Sequence, residues 1–189
     1  MATVNKTKYA LLGVLNVMPC SGYDIKKFCD SSISHFWNEN YARIYPVLKE
    51  MEKEGLVVKE TEHTEGRPSK NVYSITEAGK HELAAWLLEP VQSVMGRNEL
   101  LLKLFFSSEV PLENIIEKLE KEKVKHEKLV ADYLQMEAFL KADEQVKNSK
   151  NFPLWLATLS CGRYNSEARI KWCQETIRSL TNGFAKEGD

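Results

Sequence analysis

Cysteine, proline and glycine are scarce in this chain, which has 4, 6 and 9 of them among 189 residues. Cys20, Cys29, Cys161 and Cys173 form no CxxC pair and have no histidine cluster beside them, so the sequence supports no zinc site. Cys161 and Cys173 share one predicted helix but are too far apart to bond to each other, and burial among apolar residues is the default for both. We therefore expect reduced thiols, no bound metal and a cytoplasmic location.

An excess of charge of one sign is also absent, because 26 Lys and Arg residues oppose 27 Asp and Glu residues, for a formal net charge of -1. Binding to nucleic acid would therefore need a local basic patch. No apolar run approaches the roughly 20 residues that a membrane-spanning helix needs. The short apolar stretch near the start is interrupted by Gly13, Asn16 and Pro19, so we expect neither a membrane span nor a signal peptide.

Motifs of catalysis are missing as well. The chain has no phosphate-cradling glycine loop, no nucleophile elbow and no paired carboxylates in an apolar setting. We predict that the protein is not an enzyme and that it has no catalytic residues and no cofactor. His81 and His126 stand alone in the sequence and are expected to be solvated. The hydrophobic content of 43% is ordinary for a globular protein that buries a core.

The most informative stretch of the chain is residues 38–76. A helix pattern that ends at Gly55 is followed by two strand-like segments, and these enclose a polar turn that carries Arg67 and Lys70. Helix, hairpin and basic hairpin tip in this order outline a winged helix-turn-helix. Such a unit can place a helix in the DNA major groove and a charged loop on the flanking backbone. Upstream, Ser21 is placed to cap a helix from about Gly22 to Ser34.

The helix before the hairpin separates two faces when it is projected at 100° per residue. Its apolar face holds Ile44, Val47, Leu48 and Met51. Its outer face holds Ala42, Tyr45, Pro46, Lys49 and Lys53, with Arg43 at the margin. The N-terminal half of the helix carries no carboxylate, and helix-turn-helix proteins use that half to approach base edges and phosphates.

We predict DNA contacts from side chains on this helix, at the start of the preceding helix and on the hairpin: Tyr23, Asn40, Tyr41, Arg43, Tyr45, Lys49, Arg67 and Lys70. Plainer roles remain open for several of them. Asn40 can equally cap the helix, Tyr45 can be a core aromatic residue, and the cationic side chains can solvate the surface.

The second half of the chain is predicted to be helical, and we place two domains at residues 1–90 and 97–183. The helices run over 98–107, from Ser108 or Pro111 to about Ala142, and from Pro153 to about Leu180. The middle helix is longer than one small core can cover, and its apolar stripe is broken by a mostly charged centre. Either another subunit covers its ends, or it is an antiparallel arm.

We predict a homodimer built by this helical domain, with contacts from Leu101, Leu104, Phe105, Leu119, Trp155, Leu159 and Trp172. Two-fold symmetry then predicts an inverted repeat in the double-stranded DNA. A small-molecule effector is a further partner to consider, with Trp155, Tyr164 and Trp172 lining its pocket. Aromatic residues at helical spacing are more often core or interface, however.

Several motifs follow one another along residues 7–88: Gly22-Tyr23-Asp24-Ile25, Ile44-Tyr45-Pro46-Val47-Leu48, Glu54-Gly55-Leu56, Gly66-Arg67-Pro68, and Ile75-Thr76-Glu77-Ala78-Gly79 after Tyr73. In order and spacing they resemble the PadR family of transcriptional regulators. The run from Leu101 to Phe106 and a late helix with Gly162 and Trp172 are similar to the longer members of that family. The resemblance implies a helical C-terminal dimerisation domain after the DNA-binding domain.

We therefore predict a mainly α fold with a small β-hairpin, in which a winged helix-turn-helix precedes a helical dimerisation domain. The expected function is that of a dimeric, sequence-specific DNA-binding transcriptional regulator of the PadR type, acting as a repressor. The alternative is a winged-helix module for protein assembly that does not contact DNA. Assembly modules usually make the outer face of the third helix apolar or acidic, whereas here it is cationic and polar.

Overall fold

The computed structural model describes residues 5–62, 70–92 and 96–184, and the chain divides into two compact units, Met1–Ser93 and Val94–Asp189. The elements of the first unit are α1 Lys6–Val17, α2 Gly22–Ser32, α3 Tyr41–Lys53, β1 Val57–Glu62, β2 Lys70–Ile75 and α4 Glu77–Leu87. Those of the second unit are α5 Glu99–Phe105, α6 Leu112–Ala142, α7 Glu144–Lys147 and α8 Phe152–Phe184. The predicted mainly α fold with a small hairpin is confirmed.

Helix α1 is the centre of the first unit, because α2, α3, α4 and β2 all pack against it. The core is formed mainly by buried aliphatic side chains from the helices and β1, including Leu11, Leu12, Leu15, Ile25, Ile44, Leu48, Met51, Val57 and Leu83, and β2 adds Tyr73. The buried residues of α3 are Ile44, Val47, Leu48 and Met51, which are the apolar face given by the helical projection.

Helix α2 begins with the predicted cap. The Ser21 side chain accepts a hydrogen bond from the Asp24 backbone N–H at 3.2 Å, and the Asp24 carboxylate accepts one from the Ser21 backbone N–H at 3.3 Å. This reciprocal capping box satisfies two backbone donors that the first turn of a helix leaves without partners. The helix ends at Ser32 rather than at Ser34. The hydroxyls of Ser31 and Ser32 both donate to the Phe28 carbonyl and compete there with the backbone hydrogen bonds of the helix.

The two ends of the hairpin meet at Leu56. Gly55, with φ of 71°, terminates α3 so that the Leu56 N–H donates to the Met51 carbonyl at 2.9 Å. Thr76, which caps α4, donates its backbone N–H to the Leu56 carbonyl at 3.0 Å and its hydroxyl to the Gly55 carbonyl at 2.8 Å. A β-carbon added at Gly79 would lie 2.2 Å from the Leu56 carbonyl oxygen, so only glycine fits there.

The hairpin is also fastened to the connection between α1 and α2. Strands β1 and β2 pair antiparallel, with Glu62 opposite Lys70 at the outer end. Tyr73 on β2 and Cys20 exchange two backbone hydrogen bonds, at 2.9 and 3.1 Å. The bridge holds the inner half of the hairpin against the residues that precede α2, while the outer half extends into solvent.

The second unit is dominated by α6 and α8, which run antiparallel. Gly162 of α8 meets Tyr133 of α6, and Ser166 meets His126, in opposite order along the two helices. A buried core between α6 and α8 consists of Ile115, Leu119 and Cys173. The partly buried side chains of Leu104, Trp172, Ile177 and Leu180 pack against it. None of the helices in the described residues is long and apolar enough to cross a membrane.

The expectation that His126 is solvated was wrong. Its Nδ1 lies 3.1 Å from the buried Ser166 hydroxyl on α8, and its Nε2 lies 3.3 Å from the Glu122 carboxylate one turn away. The side of the charged centre of α6 that carries Glu122 and His126 therefore faces α8, and the polar groups on this side satisfy one another across the interface. His81 is exposed, as predicted.

Cys161 and Cys173 differ in exposure, although both were expected to be buried. Cys161 is exposed on α8, so its expected burial was wrong, whereas Cys173 on the same helix is fully buried. Burial raises the pKa of Cys20 and the pKa of Cys29 to about 11, so both thiols stay protonated and unreactive at neutral pH.

Candidate nucleic-acid interface

The outer face of α3 is open to solvent along its whole length. Tyr41, Arg43, Tyr45 and Lys49 are all exposed, and the Tyr45 side chain is 50% exposed. Tyr45 is therefore not a core aromatic residue. We call this surface, together with the exposed Tyr23 of α2, the recognition face.

Carboxylates are absent from the N-terminal half of α3. The first turn of α3 holds no acidic residue. In the C-terminal half of the helix, Glu52 pairs with Lys59 of β1 at 3.3 Å and Glu54 lies 3.8 Å from Lys8 of α1. The N-terminal half of α3 thus presents hydroxyl and guanidinium donors without a compensating negative charge, which suits the approach of phosphates and base edges.

Gly22 determines where the Tyr45 ring can lie. A β-carbon at Gly22 would be 2.8 Å from Cε1 and 3.0 Å from Cζ of Tyr45, distances that real side chains do not tolerate. The tyrosine ring therefore rests directly on the backbone of the first turn of α2. Sequence reasoning missed this role, although Gly22 stood in the motif that precedes Tyr23.

The aromatic rings of α2 and α3 form a second contact. Tyr23 and Tyr41 are stacked with ring centroids 6.5 Å apart, and the ammonium group of Lys26 lies 5.7 Å from the Tyr41 centroid. Lys26 is in turn paired with Asp30. Lys26 was not among the predicted contacts, yet it lies one helical turn after Tyr23, and that spacing was the available signal.

The start of α3 is held by a buried carboxylate. Glu39 is only 3% exposed; it accepts a hydrogen bond from the Thr7 hydroxyl at 3.1 Å and another from the Trp37 indole N–H at 2.5 Å. Asn40 occupies the cap position, but its side chain makes no capping hydrogen bond among the described residues. Glu39 therefore ties the first turn of α3 to α1, and the Asn40 amide stays at the exposed edge.

Lys70 of the hairpin lies beside the first turn of α2. Its ammonium group lies 2.7 Å from the Asp24 carboxylate, and this ion pair joins β2 to the first turn of α2. Arg67, the other hairpin residue predicted to contact DNA, lies outside the described residues. The structure brings Tyr23, Tyr41 and Tyr45 together around the starts of α2 and α3, and the DNA contacts of all these residues remain predictions.

The side chains predicted to form a dimer fall into two groups. Leu119 and Leu159 are buried within the single chain, and Leu104 and Trp172 pack against its core. Leu101 and Phe105 are exposed, and Trp155 is half-buried. Leu101 and Phe105 on α5 are therefore the ones free to contact a second chain directly, whereas Leu119 and Leu159 pack between α6 and α8.

A winged helix-turn-helix with an exposed aromatic and basic third helix, followed by a helical unit, defines a class of winged-helix transcriptional regulators. The profile of the transcriptional regulator PadR-like family matches residues 11–85, and the profile described as virulence activator alpha C-term matches residues 96–181. Together with full-length relatives, these matches show that the chain belongs to the PadR-like family of transcriptional regulators. The resemblance stated from the sequence motifs is confirmed.

Two relatives cover most of the chain. The negative transcriptional regulator PadR of Bacillus subtilis is 28% identical in an alignment of 172 residues that covers 80% of this chain and 94% of the relative. Its crystal structure in complex with operator DNA has a TM-score of 0.82 at 25% identity, covering 94% of this chain and 99% of that one. The Vibrio cholerae virulence activator AphA is 31% identical, with a TM-score of 0.71 over 93% of this chain and 98% of that one.

A further crystal structure of Bacillus subtilis PadR is a complex with p-coumaric acid. It has a TM-score of 0.72 at 24% identity and covers 92% of this chain and 98% of that one.

Proposed function

We propose that this protein is a homodimeric repressor that binds an inverted-repeat operator in double-stranded DNA, in the cytoplasm. The observation that carries the proposal is the recognition face, where exposed Tyr41, Arg43, Tyr45 and Lys49 stand on a helix whose opposite side is buried. A helix fixed in this way can enter the major groove as a rigid body. The Bacillus subtilis relative is a negative regulator crystallised with operator DNA, which supports both the ligand and the sign of regulation.

Homodimer formation is supported by apolar surface in the second unit. Phe105 is 82% exposed, and Leu102, Phe106, Phe139 and Leu154 are also largely exposed. Soluble monomers seldom leave so many large apolar side chains in water, and a second copy of the chain covers such a surface most simply. A two-fold dimer then presents two recognition faces, so that half-site centres lie about 34 Å, one helical turn, or a multiple of it apart.

A small-molecule effector is a further part of the proposal. Trp155 and Trp172 are half-buried, and Tyr164 is exposed with the Arg163 guanidinium 4.5 Å from its ring centroid. The complex of the Bacillus subtilis relative with p-coumaric acid supports an aromatic carboxylate as the first compound to try.

The test is selection of bound fragments from the genomic DNA of the source organism, followed by footprinting and light scattering. We expect enrichment of fragments with an inverted repeat, a footprint on both half-sites, and a mass of twice 21.7 kDa at micromolar concentration. Transcription from an enriched promoter should rise when the protein is removed, which separates repression from activation.

Three results would contradict the proposal. A monomeric mass in light scattering would contradict the proposed homodimer. A footprint on one asymmetric half-site would contradict the proposed inverted-repeat operator. If no fragment were enriched and the dimer bound no duplex, the alternative of a winged-helix module for protein assembly would be favoured instead.

A further inference from the structure

Asp24 is held in one place by the cap of α2. Its Oδ2 accepts hydrogen bonds from the Ser21 hydroxyl at 2.7 Å and from the Ser21 backbone N–H at 3.3 Å. The same oxygen is the one that lies 2.7 Å from the Lys70 ammonium group. Hydrogen bonds from Lys70 and Ser21 lower the pKa of Asp24, so the carboxylate is charged at neutral pH.

Lys70 is open to solvent although it is paired. Its side chain is 51% exposed and that of Asp24 is 31% exposed. Both line a cleft of about 500 Å³ between α2 and the hairpin, and Lys27 and Glu62 line it as well. An anion as large as a phosphate can therefore reach Lys70 without displacing backbone, and it meets a lysine that already has a carboxylate partner.

We propose that Asp24 competes with DNA phosphate for Lys70 and so weakens the binding of duplex DNA of any sequence. The inference rests on the proposed function, since it concerns binding to duplex DNA. In a sequence-independent complex, lysines that follow the phosphates supply most of the binding energy. By pairing with Lys70, Asp24 reduces the contribution of one such lysine to that complex. The operator presents the same phosphate backbone, so withholding the lysine weakens the cognate complex by a similar factor.

Three variants test the competition: Asp24→Asn, Lys70→Ala and the double variant. An asparagine side chain can still accept the Ser21 hydrogen bonds, so Asp24→Asn removes the charge and leaves the cap in place. The probe is a mixed-sequence duplex of about 30 base pairs without an operator, titrated between about 50 and 200 mM salt. We expect Asp24→Asn to bind it about three- to tenfold more tightly at the lowest salt, with a salt slope steeper by about one unit.

The double variant separates competition from simple repulsion. If Asp24 acts by holding Lys70, then Asp24→Asn has no effect in the Lys70→Ala background. On an enriched operator fragment, Asp24→Asn should raise affinity by a similar factor, because a phosphate contact of Lys70 does not depend on base sequence. The matched control is Glu117→Gln on α6, which removes the same charge from an exposed pair with Lys121 at 2.6 Å and should leave DNA binding unchanged.

Two outcomes would overturn the inference. Equal gains from Asp24→Asn with and without Lys70 would make Asp24 merely a negative charge near the duplex, and no gain in either background would remove its role altogether. Both leave the proposed function intact as long as the unmodified protein binds its enriched fragments. If the unmodified protein binds no DNA, the proposed function and this inference fail together. Thermal unfolding of each variant checks that all of them are folded.

Discussion

Replacing Gly22 with alanine should impair DNA binding without unfolding the protein. The new β-carbon would lie 2.8 Å from Cε1 of Tyr45, and carbon atoms in contact lie about 3.5–4.0 Å apart. The tyrosine ring therefore has to move by more than roughly 0.5 Å. Because Tyr45 is half exposed, the ring can swing toward solvent, and we expect the free energy of unfolding to change by less than about 1 kcal/mol.

The displaced ring takes the Tyr45 hydroxyl with it. A hydrogen bond to a charged group such as a phosphate contributes about 1.5–3 kcal/mol, so its loss corresponds to about tenfold or more in Kd. Fluorescence anisotropy with an enriched operator fragment measures this change. In the background of Tyr45→Phe, which keeps the ring and lacks the hydroxyl, Gly22→Ala should have little further effect on Kd.

The control for this prediction is Gly13→Ala in α1. An added β-carbon there meets nothing within 4 Å, so the variant should bind DNA normally and gain up to about 1 kcal/mol of stability from helix propensity. Full affinity of Gly22→Ala would refute the reasoning, as would additive effects of Gly22→Ala and Tyr45→Phe. Either result would mean that the position of the Tyr45 ring does not matter for binding.

Three further predictions concern the rest of the molecule. Arg43→Ala should cost about 1–3 kcal/mol on the cognate duplex and relax discrimination at one base pair, as titrations on cognate and scrambled duplexes would measure. Gly162→Ala should destabilise the second unit by about 1–2 kcal/mol in chemical denaturation, because its β-carbon would lie 2.5 Å from Cζ of the buried Tyr133. The hydrogen bond from Lys8 lowers the pKa of Glu82, so this pair stabilises the fold above the ordinary carboxyl pKa and the contribution disappears as pH falls through the lowered value. Glu82→Gln should therefore flatten the acid limb of the stability curve, by less than about 1 kcal/mol since the carboxylate is partly solvated.

Each of these predictions has its own control. Equal weakening of both duplexes by Arg43→Ala would make that residue a backbone anchor, and the base reader would then be sought at Asn40, Tyr41 or Lys49. Gly183→Ala on the same helix as Gly162 meets nothing within 4 Å and should not destabilise, so equal losses at both glycines would contradict the packing argument. An unchanged acid limb in Glu82→Gln would show that the pair does not contribute to stability.

Local features of the fold could be predicted because their causes are local. Ser21 was recognised as a cap and Gly55 as a helix terminator from their immediate neighbours, and the structure has both. The two faces of α3 followed from helical periodicity alone. Polar contacts between distant segments could not be predicted in this way. Glu39 belongs to a residue type that is rarely buried, and one of its two donors is Thr7 of α1, which is distant in the sequence.

The same limit applies to the candidate site and to the helix pair. The pairing of Lys70 with Asp24 depends on how the hairpin lies against α2, and the periodicity of either segment carries no information on that. The contact of His126 with Ser166 depends on the register between α6 and α8. A lone histidine on a charged helix gives no sign of its partner, so solvation was the reasonable but wrong expectation.

The closed base of the hairpin separates the outer end of the wing from the core. Because Leu56 bonds to both the end of α3 and the residue that caps α4, the two strands begin and end side by side. Residues added or removed between β1 and β2 therefore change the loop without changing the distance between α3 and α4. Proteins that share this hydrogen-bonded base can differ in the length and charge of the wing without a change in the core. Loop exchange between β1 and β2 is accordingly a practical way to engineer a new backbone contact.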